Sequence, residues 1–496
     1  MGAALGHAYG AAVALQSDHH REHGSAMNPA TAPTMQAPPA PSAATREQPA
    51  AALPRLLAGI PASGAMTLED HLTVHGEMPL TGAHRRRQVR EQAATLIDEV
   101  QRAGLLGHGG AAFPAATKMR AVASQRRRAI VVINAAEGEP ASLKDRTLLE
   151  IVPHLVIDGG VLAARAVSAD EVIVCACESA HAGIEATTRA IAERDQRASS
   201  HAPKVRLTTV PCHYVAGQET ALVSHLNGAP ARPTFTPPMP FQQGVARRPT
   251  LVNNAETLAH LALIARHGAS WFRQVGTPTQ PGSALVTLAG PVARPGVYEI
   301  EHGASLSSLV AAAGGATARL HGVLVGGYAG SWIGAEHLHG LALSNEHLAA
   351  HGATFGAGVV LALSELACPV AETARLARWL AGQSTRQCGP CVHGLDALAT
   401  SVAQLAAGGG ADPEGVGQAQ AAQRVDRLAS LVTRRGACGH PDGAVSVILS
   451  AMDAFQAQFA DHARHGPCDA CARPAELPLP ARPVPSGSQR TGLRRQ

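Results

Sequence analysis

Between Arg85 and Val210 the chain switches period again and again, and this alternation constrains its fold more than any other feature. RRRQVREQAATLIDEVQRAG has apolar residues at helical spacing and runs into a glycine-rich turn. AIVVINA reads as a buried strand, DRTLLEIVPHLVIDGGVLAARAV as helix and EVIVCAC as strand again. HAGIEATTRAIAERDQR and KVRLTTV continue the series. Strands separated by helices of a dozen or more residues need crossover connections, so they form a mostly parallel sheet with helices on its faces. The expected unit is a Rossmann-like α/β domain over residues 66–275.

A different texture begins near Gly282. SALVTLAGPVARPGVYEIEHGASLSSLVAAAGG reads as strand, Pro-Gly turn, strand and helix, and VLVGGYAGSWIG and GAGVVLALS add strands. A hairpin followed by a helix suits a ubiquitin-like β-grasp over 276–365. Four helical segments follow in 366–465 (PVAETARLARWLAG, LDALATSVAQLAAG, QAAQRVDRLASLVTRR and AVSVILSAMDAFQAQFADHARH), as in a four-helix bundle. Residues 1–65 are rich in Ala, Pro, Ser and His without a period and are expected to be disordered, and 466–496 read as a flexible tail.

Only 3% of the 496 residues are aromatic, so the cores must pack small aliphatic side chains. The net charge is +4, and the runs at Arg85–Arg87 and Arg126–Arg128 lack interleaved aromatics. They read as solvated faces, with no nucleic-acid partner. No apolar run reaches the ~18 residues of a membrane span, and the start has no positive n-region. The expectation is a cytoplasmic chain, free or peripheral to a membrane complex, with no direct membrane insertion. Its nine cysteines are then not expected to form structural disulfides. Cys175, Cys177, Cys212 and Cys368 read as core residues. Cys388, Cys391, Cys438, Cys468 and Cys471 remain as candidate ligands.

The run GLLGHGGAAFPAATKM (104–119) lies between a helix and a strand, where glycines let backbone N–H groups approach a phosphate or flavin. As a G-x-G-x-x-G pattern it fails at Ala112. It nevertheless resembles the nucleotide-binding signature of the NADH-oxidising flavoprotein subunit of respiratory complex I, a family shared with diaphorase subunits of NAD-linked hydrogenases and formate dehydrogenases. NAAEGEPASLKDR (134–146), YVAGQETALVSHLNG (214–228), RPTLVNNAETLAHL (248–261), GPVARPGVYEI (290–300, the SLBB segment) and QCGPCVHG with the later Cys438 resemble further segments of that family, in order.

The resemblance implies an NADH dehydrogenase-like enzyme using FMN, NAD and one [4Fe–4S] cluster, and delivering electrons to other redox subunits or a ferredoxin-like acceptor. It further implies that Gly107, Gly109, Gly110 and Lys118 cradle the cofactors and that Phe113 stacks on the dinucleotide. Asn134, Glu137, Gly217, Gln218, Glu219, Asn253 and Asn254 would line the flavin site, with Glu139 near the nicotinamide. Cys388, Cys391 and Cys438 would hold the cluster. The chain departs from the family at His108, Ala136, Gln218, Met239 and Met119, and Thr385 stands where the first cluster cysteine belongs. Three readings of the cysteines follow: a three-thiolate cluster, one completed by Cys468 or Cys471, or a zinc site made of Cys388, Cys391, Cys468 and Cys471. The rival to an enzyme is a non-catalytic assembly protein that keeps the fold with a degenerate pocket.

Overall fold

AIVVINA forms β1 (Ala129–Ala135), and the side chains of its apolar run are buried on both faces, as a central parallel strand requires. The computed structural model describes residues 53–480 apart from 62, 80–85, 198–201 and 409–415; the disorder expected of residues 1–52 and the tail beyond 480 lie outside them. On one side β1 pairs with β2 (Ala169–Cys177), which pairs with β3 (Lys204–Val210). On the other it pairs with β4 (Thr250–Asn254), and all three pairings are parallel. The edge strand β3 alternates Lys, Val, Arg, Leu and is only partly covered.

The helices of this domain are α1 (Leu68–His75), α2 (Arg86–Ala103), α3 (Ala115–Ala123), α4 (Lys144–Ile151), α5 (Pro153–Ala166), α6 (His181–Asp195), α7 (Glu219–Leu226) and α8 (Ala255–Phe272). The long helix read over 145–167 is broken at Val152, where Pro153 opens α5 as its first residue. Helix α5 is almost wholly buried. Its Asp158 carboxylate meets His71 at 2.8 Å and also pairs with Arg194 and Arg266, joining α1, α6 and α8. Burial alone would raise that carboxyl, but these partners hold it well below the usual range.

Three sequence expectations change. Cys177 and Cys212 are joined by a disulfide, with Cα atoms 5.3 Å apart, because β2 ends beside β3 and Cys212 follows β3 by two residues. Residues 53–57, inside the stretch expected to be disordered, are packed: the backbone amides of Arg55, Leu56 and Leu57 donate to the Glu299 carboxylate at 2.9–3.1 Å, and Leu56 is fully buried. In the tail, Glu476 accepts from Ser364 N at 2.8 Å and Leu477 is buried.

The second sheet has the order β6-β5-β9-β7-β8, with β5 (Ser283–Ala289), β6 (Gly296–Glu301), β7 (Leu320–Val325), β8 (Ser331–Gly334) and β9 (Val359–Ser364). Its two hairpins are antiparallel and β5 pairs parallel with β9; α9 (Leu306–Ala312) follows the first hairpin as a β-grasp demands. The short α10 (Asn345–Ala349) precedes β9. The helical region comprises α11 (Pro369–Gly382), α12 (Leu395–Ala407), α13 (Val416–Val432), α14 (His440–Ala454) and α15 (Gln456–His465). By periodicity the last two read as one helix. They break at Phe455, whose fully buried ring packs edge-on against Trp332 and His321 of the β-grasp sheet.

Close approach of α5 and α8 depends on Gly159, where an added Cβ would lie 1.8 Å from the Leu258 carbonyl oxygen. Gly159→Ala is expected to lower stability by about 1–3 kcal/mol through overpacking. Gly382→Ala, where a Cβ meets nothing within 4 Å, should leave it unchanged or slightly raised. Urea midpoints of the two variants measure this; equal midpoints would contradict the packing argument.

Candidate active site

The winding of the parallel sheet reverses between β1 and β4: from β1 the chain steps to β2 and then β3, and β4 is added on the other side of β1. In such sheets the crevice outside the carboxyl ends of the strands at the reversal is the ligand site. Here Asn134 of β1 and Asn254 of β4 are register partners. Asn134 Nδ2 donates to Gly217 O at 2.8 Å, which holds the loop before α7 against the strand end. Asn254 caps α8, its Oδ1 accepting from Glu256 N at 3.0 Å, while its Nδ2 donates to Asp145 at 2.6 Å.

Beneath these asparagines lies a buried charge cluster. Lys144 Nζ reaches Asp145 Oδ1 at 2.8 Å, Glu256 Oε2 at 2.9 Å and Asn254 Oδ1 at 3.1 Å. Burial would lower the Lys144 ammonium, but Asp145 and Glu256 hold it above its ordinary value. Both carboxyls are raised by the same burial, against the pull of Lys144. Glu256 Oε1 also accepts from Leu285 N of β5 at 2.8 Å, so the cluster ties the parallel sheet to the β-grasp. With Gly107, His108, Gly110, Ala112 and Phe355, Lys144 and Glu256 line a small cavity of about 20 Å³.

The glycine-rich loop folds over this cavity. Gly107 N donates to Phe113 O at 2.9 Å, closing the turn, and Gly110 has a φ of 106° that only glycine adopts freely. A Cβ on Gly109 would touch Asn254, whereas one on Gly110 would meet open space. Phe113 is half-buried beside the turn. His108 points inward, its ring 4.9 Å from His260 and 5.8 Å from His302. Burial, then the Lys144 charge, push His108 down to about 3, so it is neutral.

Lys118 does not stand free: Nζ lies 2.9 Å from Glu219 Oε2 and 2.7 Å from Val252 O, linking α3 to the start of α7 and to β4. Gln218 caps α7, its Oε1 accepting from Thr220 N and Ala221 N at 2.9 Å each. Glu137 caps the start of α4, receiving Asp145 N at 3.1 Å and Arg146 N at 3.2 Å, and burial raises its carboxyl. Asn253 Nδ2 is buried with no hydrogen-bond partner, an orphaned donor at the end of β4. Met119 is fully buried in the core and forms no wall of the pocket.

Glu139 connects this crevice to the other two regions. Its carboxylate accepts from Tyr328 N, in the β7–β8 turn, at 2.9 Å and from Ala141 N at 3.4 Å. Burial pushes it up to about 7 against these hydrogen bonds and one from Tyr214. Tyr214 packs edge-on against Trp379 of α11 at 5.3 Å and His440 of α14 at 5.4 Å. Two residues before His440 comes Cys438. Cys388 and Cys391 lie on the turn between α11 and α12, where Val392 N closes on Cys388 O at 2.9 Å. Burial first, then the neighbouring Cys388 and Cys438 thiols, pushes Cys391 up to about 11 against a hydrogen bond from Ser384. Cys468 and Cys471 do not join them: both turn to Cys368 and His462, which removes the completed-cluster reading and the four-cysteine zinc set. The hydroxyl beside Cys391 is that of Ser384.

With this geometry in view, three families match in chain order: the Nuo51 FMN-binding domain over residues 100–263, the SLBB domain over 285–326, and the NADH-ubiquinone oxidoreductase-F iron–sulfur binding region over 371–462. The NADH-quinone oxidoreductase F 2 subunit of Rhizobium meliloti is 30% identical over 385 residues, covering 75% of this chain and 90% of that protein. The chain belongs to the F-subunit family of NADH-quinone oxidoreductases. The HndC subunit of the NADP-reducing hydrogenase of Solidesulfovibrio fructosivorans is 28% identical, covering 82% of each chain. A chain of the NAD+-reducing [NiFe]-hydrogenase crystal structure in its H2-reduced state superposes with a TM-score of 0.68 at 31% identity, over 77% of this chain. This chain spans 64% of that hydrogenase chain. As a member of the F-subunit family the chain carries that family's FMN-binding domain and its iron–sulfur binding region. Among the described residues no single helix is long and apolar enough to cross a membrane; α4 and α5 together reach that length but meet at 99°.

Lys144, Tyr214 and Glu256 lie in segments that carry the family resemblance, yet their roles emerge only from the packing. The signal available in sequence was a lysine beside an aspartate in LKDR, a pair that must find further partners once buried. The raised Glu139 carboxyl gives a signed expectation. Between a glutamate's ordinary 4.5 and about 7 the folded chain keeps a proton that the unfolded chain has released. Stability from this group therefore falls as pH rises through that window and is flat above it. In the flavin-free chain, Glu139→Gln should gain in urea midpoint relative to wild type between about pH 5 and about pH 8; a constant gap would contradict the assignment.

Proposed function

We propose that the crevice at the carboxyl ends of β1 and β4 is where this chain binds FMN and meets NADH, and that Cys388, Cys391 and Cys438 hold its cluster. The observation that supports the flavin site best is the pairing of Asn134 with Asn254 at the winding reversal, beside the unpartnered Asn253 amide and under a glycine loop open at Gly110. These groups fit a polar, hydrogen-bonding flavin. Bound FMN would supply an acceptor that takes a hydride and gives up electrons one at a time, which an iron–sulfur partner requires.

In this reading the chain's own residues position and shield. Backbone N–H groups of Gly107, Gly109 and Gly110 give the cofactor a surface without side chains, and Phe113 offers the dinucleotide a ring. Lys118 and Glu219 hold each other as one wall, Glu137 fixes the start of α4, and Gly217 sits against the Asn134 amide. Gln218 acts by capping α7 rather than by reaching a ligand. The Tyr328 amide holds Glu139 in place and burial raises its carboxyl to about 7, so it can present either a protonated or an ionised face to the nicotinamide. The route from Glu139 through Tyr214 to His440 places aromatic groups between the crevice and Cys438. Cys388, Cys391 and Cys438 are soft thiol donors on one side of the helical region; they suit an iron–sulfur centre with one ligand position not filled by cysteine.

The relatives are named as subunits of multi-subunit oxidoreductases, which supports other redox subunits as partners and a location beside a membrane complex or in the cytoplasm. Purified without oxygen, the chain is expected to carry about one flavin and three to four iron atoms, and NADH should bleach the flavin band. Asn254→Ala should weaken flavin retention by about tenfold, the cost of one buried hydrogen bond of about 1.4 kcal/mol. Cys438→Ala should remove iron and leave flavin in place. A colourless wild-type chain that takes up no added FMN would favour the non-catalytic assembly protein.

A further inference from the structure

The last described turn of the chain brings four ligand side chains to one point away from the crevice. Helix α15 supplies His462, and Cys468 and Cys471 follow on a single turn closed by Cys471 N to Cys468 O at 2.9 Å. The fourth, Cys368, is the N-cap of α11, 94 residues before His462. Cys368 Sγ lies 3.3 Å from His462 Nε2, Cys471 Sγ 3.7 Å from the same nitrogen, and the Cys468 and Cys471 sulfurs 3.8 Å apart. All four donor atoms lie within 4.8 Å of one another.

We infer that Cys368, His462, Cys468 and Cys471 form a structural zinc site distinct from the Cys388–Cys391–Cys438 group. Tetrahedral zinc, with bonds of about 2.3 Å to sulfur and about 2.05 Å to nitrogen, needs sulfur–sulfur edges of about 3.8 Å and sulfur–nitrogen edges of about 3.6 Å. The three edges given above lie within about 0.3 Å of these values and the others within 4.8 Å, so little movement is needed to close on an ion. His462 Nδ1 lies 2.9 Å from the Ala406 carbonyl oxygen, which fixes the ring proton there and leaves the Nε2 lone pair facing the sulfurs. That second contact is the usual companion of a ligating histidine. Cys368 and His462 are buried, and all three cysteines are free thiols rather than a disulfide.

Four protein ligands leave no open position, so the site is structural and not catalytic. Its consequence is mechanical. The ion would fasten the segment after α15 to the start of α11, and the next residues continue the attachment: Glu476 N donates to Glu372 Oε1 at 2.7 Å, and the Glu476 carboxylate takes the Ser364 amide of β9. Residues that the sequence presents as a loose tail thereby become a strap across the helical region and the β-grasp sheet.

The test is metal analysis of the full chain, purified without chelator and without a metal-affinity step. Wild type should contain about one zinc, and Cys468→Ser combined with Cys471→Ser should bring zinc below about a tenth of that while iron and sulfide stay constant. Wild-type protein that lacks zinc and takes up none from an equimolar solution would overturn the inference. So would a double variant that keeps its zinc, or one that loses iron and sulfide instead. If the double variant does not fold, cobalt added to metal-depleted wild type decides: the visible bands of a tetrahedral thiolate site support the inference, and their absence overturns it.

Discussion

A single buried ammonium, that of Lys144, is the constraint around which this molecule is assembled. It sits at the start of α4 and is met by Asp145 of α4, Asn254 at the end of β4 and Glu256 of α8. Glu256 also takes the amide of Leu285, so the first strand of the β-grasp is set by the same charge. Taking two carboxylates and an ammonium out of water costs several kcal/mol per ion, and only near-complete mutual pairing offsets it. The cluster is therefore tolerated only if β1, α4, β4, α8 and β5 all arrive together.

That requirement positions the chemistry. Asn254 is both a member of the Lys144 cluster and the register partner of Asn134, so the strand ends at the proposed flavin site are fixed by the charges beneath them. Glu139 lies a few residues before Lys144 and is caught by the Tyr328 amide of the second sheet, while Tyr214 bridges to the helices that carry the cysteines. Glu139, Tyr214 and His440 thus form one chain of contacts from the crevice toward Cys438. The proposed zinc site closes the segment after α15 onto the start of α11.

Much of this was legible in the sequence where one element decides its own structure. The apolar run of β1, the helix over 86–103 and the Pro-Gly hairpin of β5 and β6 announce themselves locally. Strand β4 did not, because TLVNN is short and ends in two polar asparagines. The break at Phe455 was hidden for a different reason: nothing in AMDAFQAQF opposes a helix, and the bend comes from burying one ring against another domain. Contacts across long separations were beyond reach altogether. Lys144 meets Asn254 at a separation of 110 residues, and Cys368 meets His462 at 94, so neither pairing has a spacing that could be read. The expectation of no disulfide came from compartment rather than geometry, and the geometry at the end of β2 decided otherwise.

The dependence on Lys144 can be measured directly by urea unfolding of Lys144→Met, followed by the chain's three tryptophans. Removing one partner from a buried ion cluster leaves the carboxylates uncompensated, so the variant should lose about 3–5 kcal/mol and retain little flavin. A variant with the wild-type midpoint and full flavin would show that the cluster organises neither the fold nor the site.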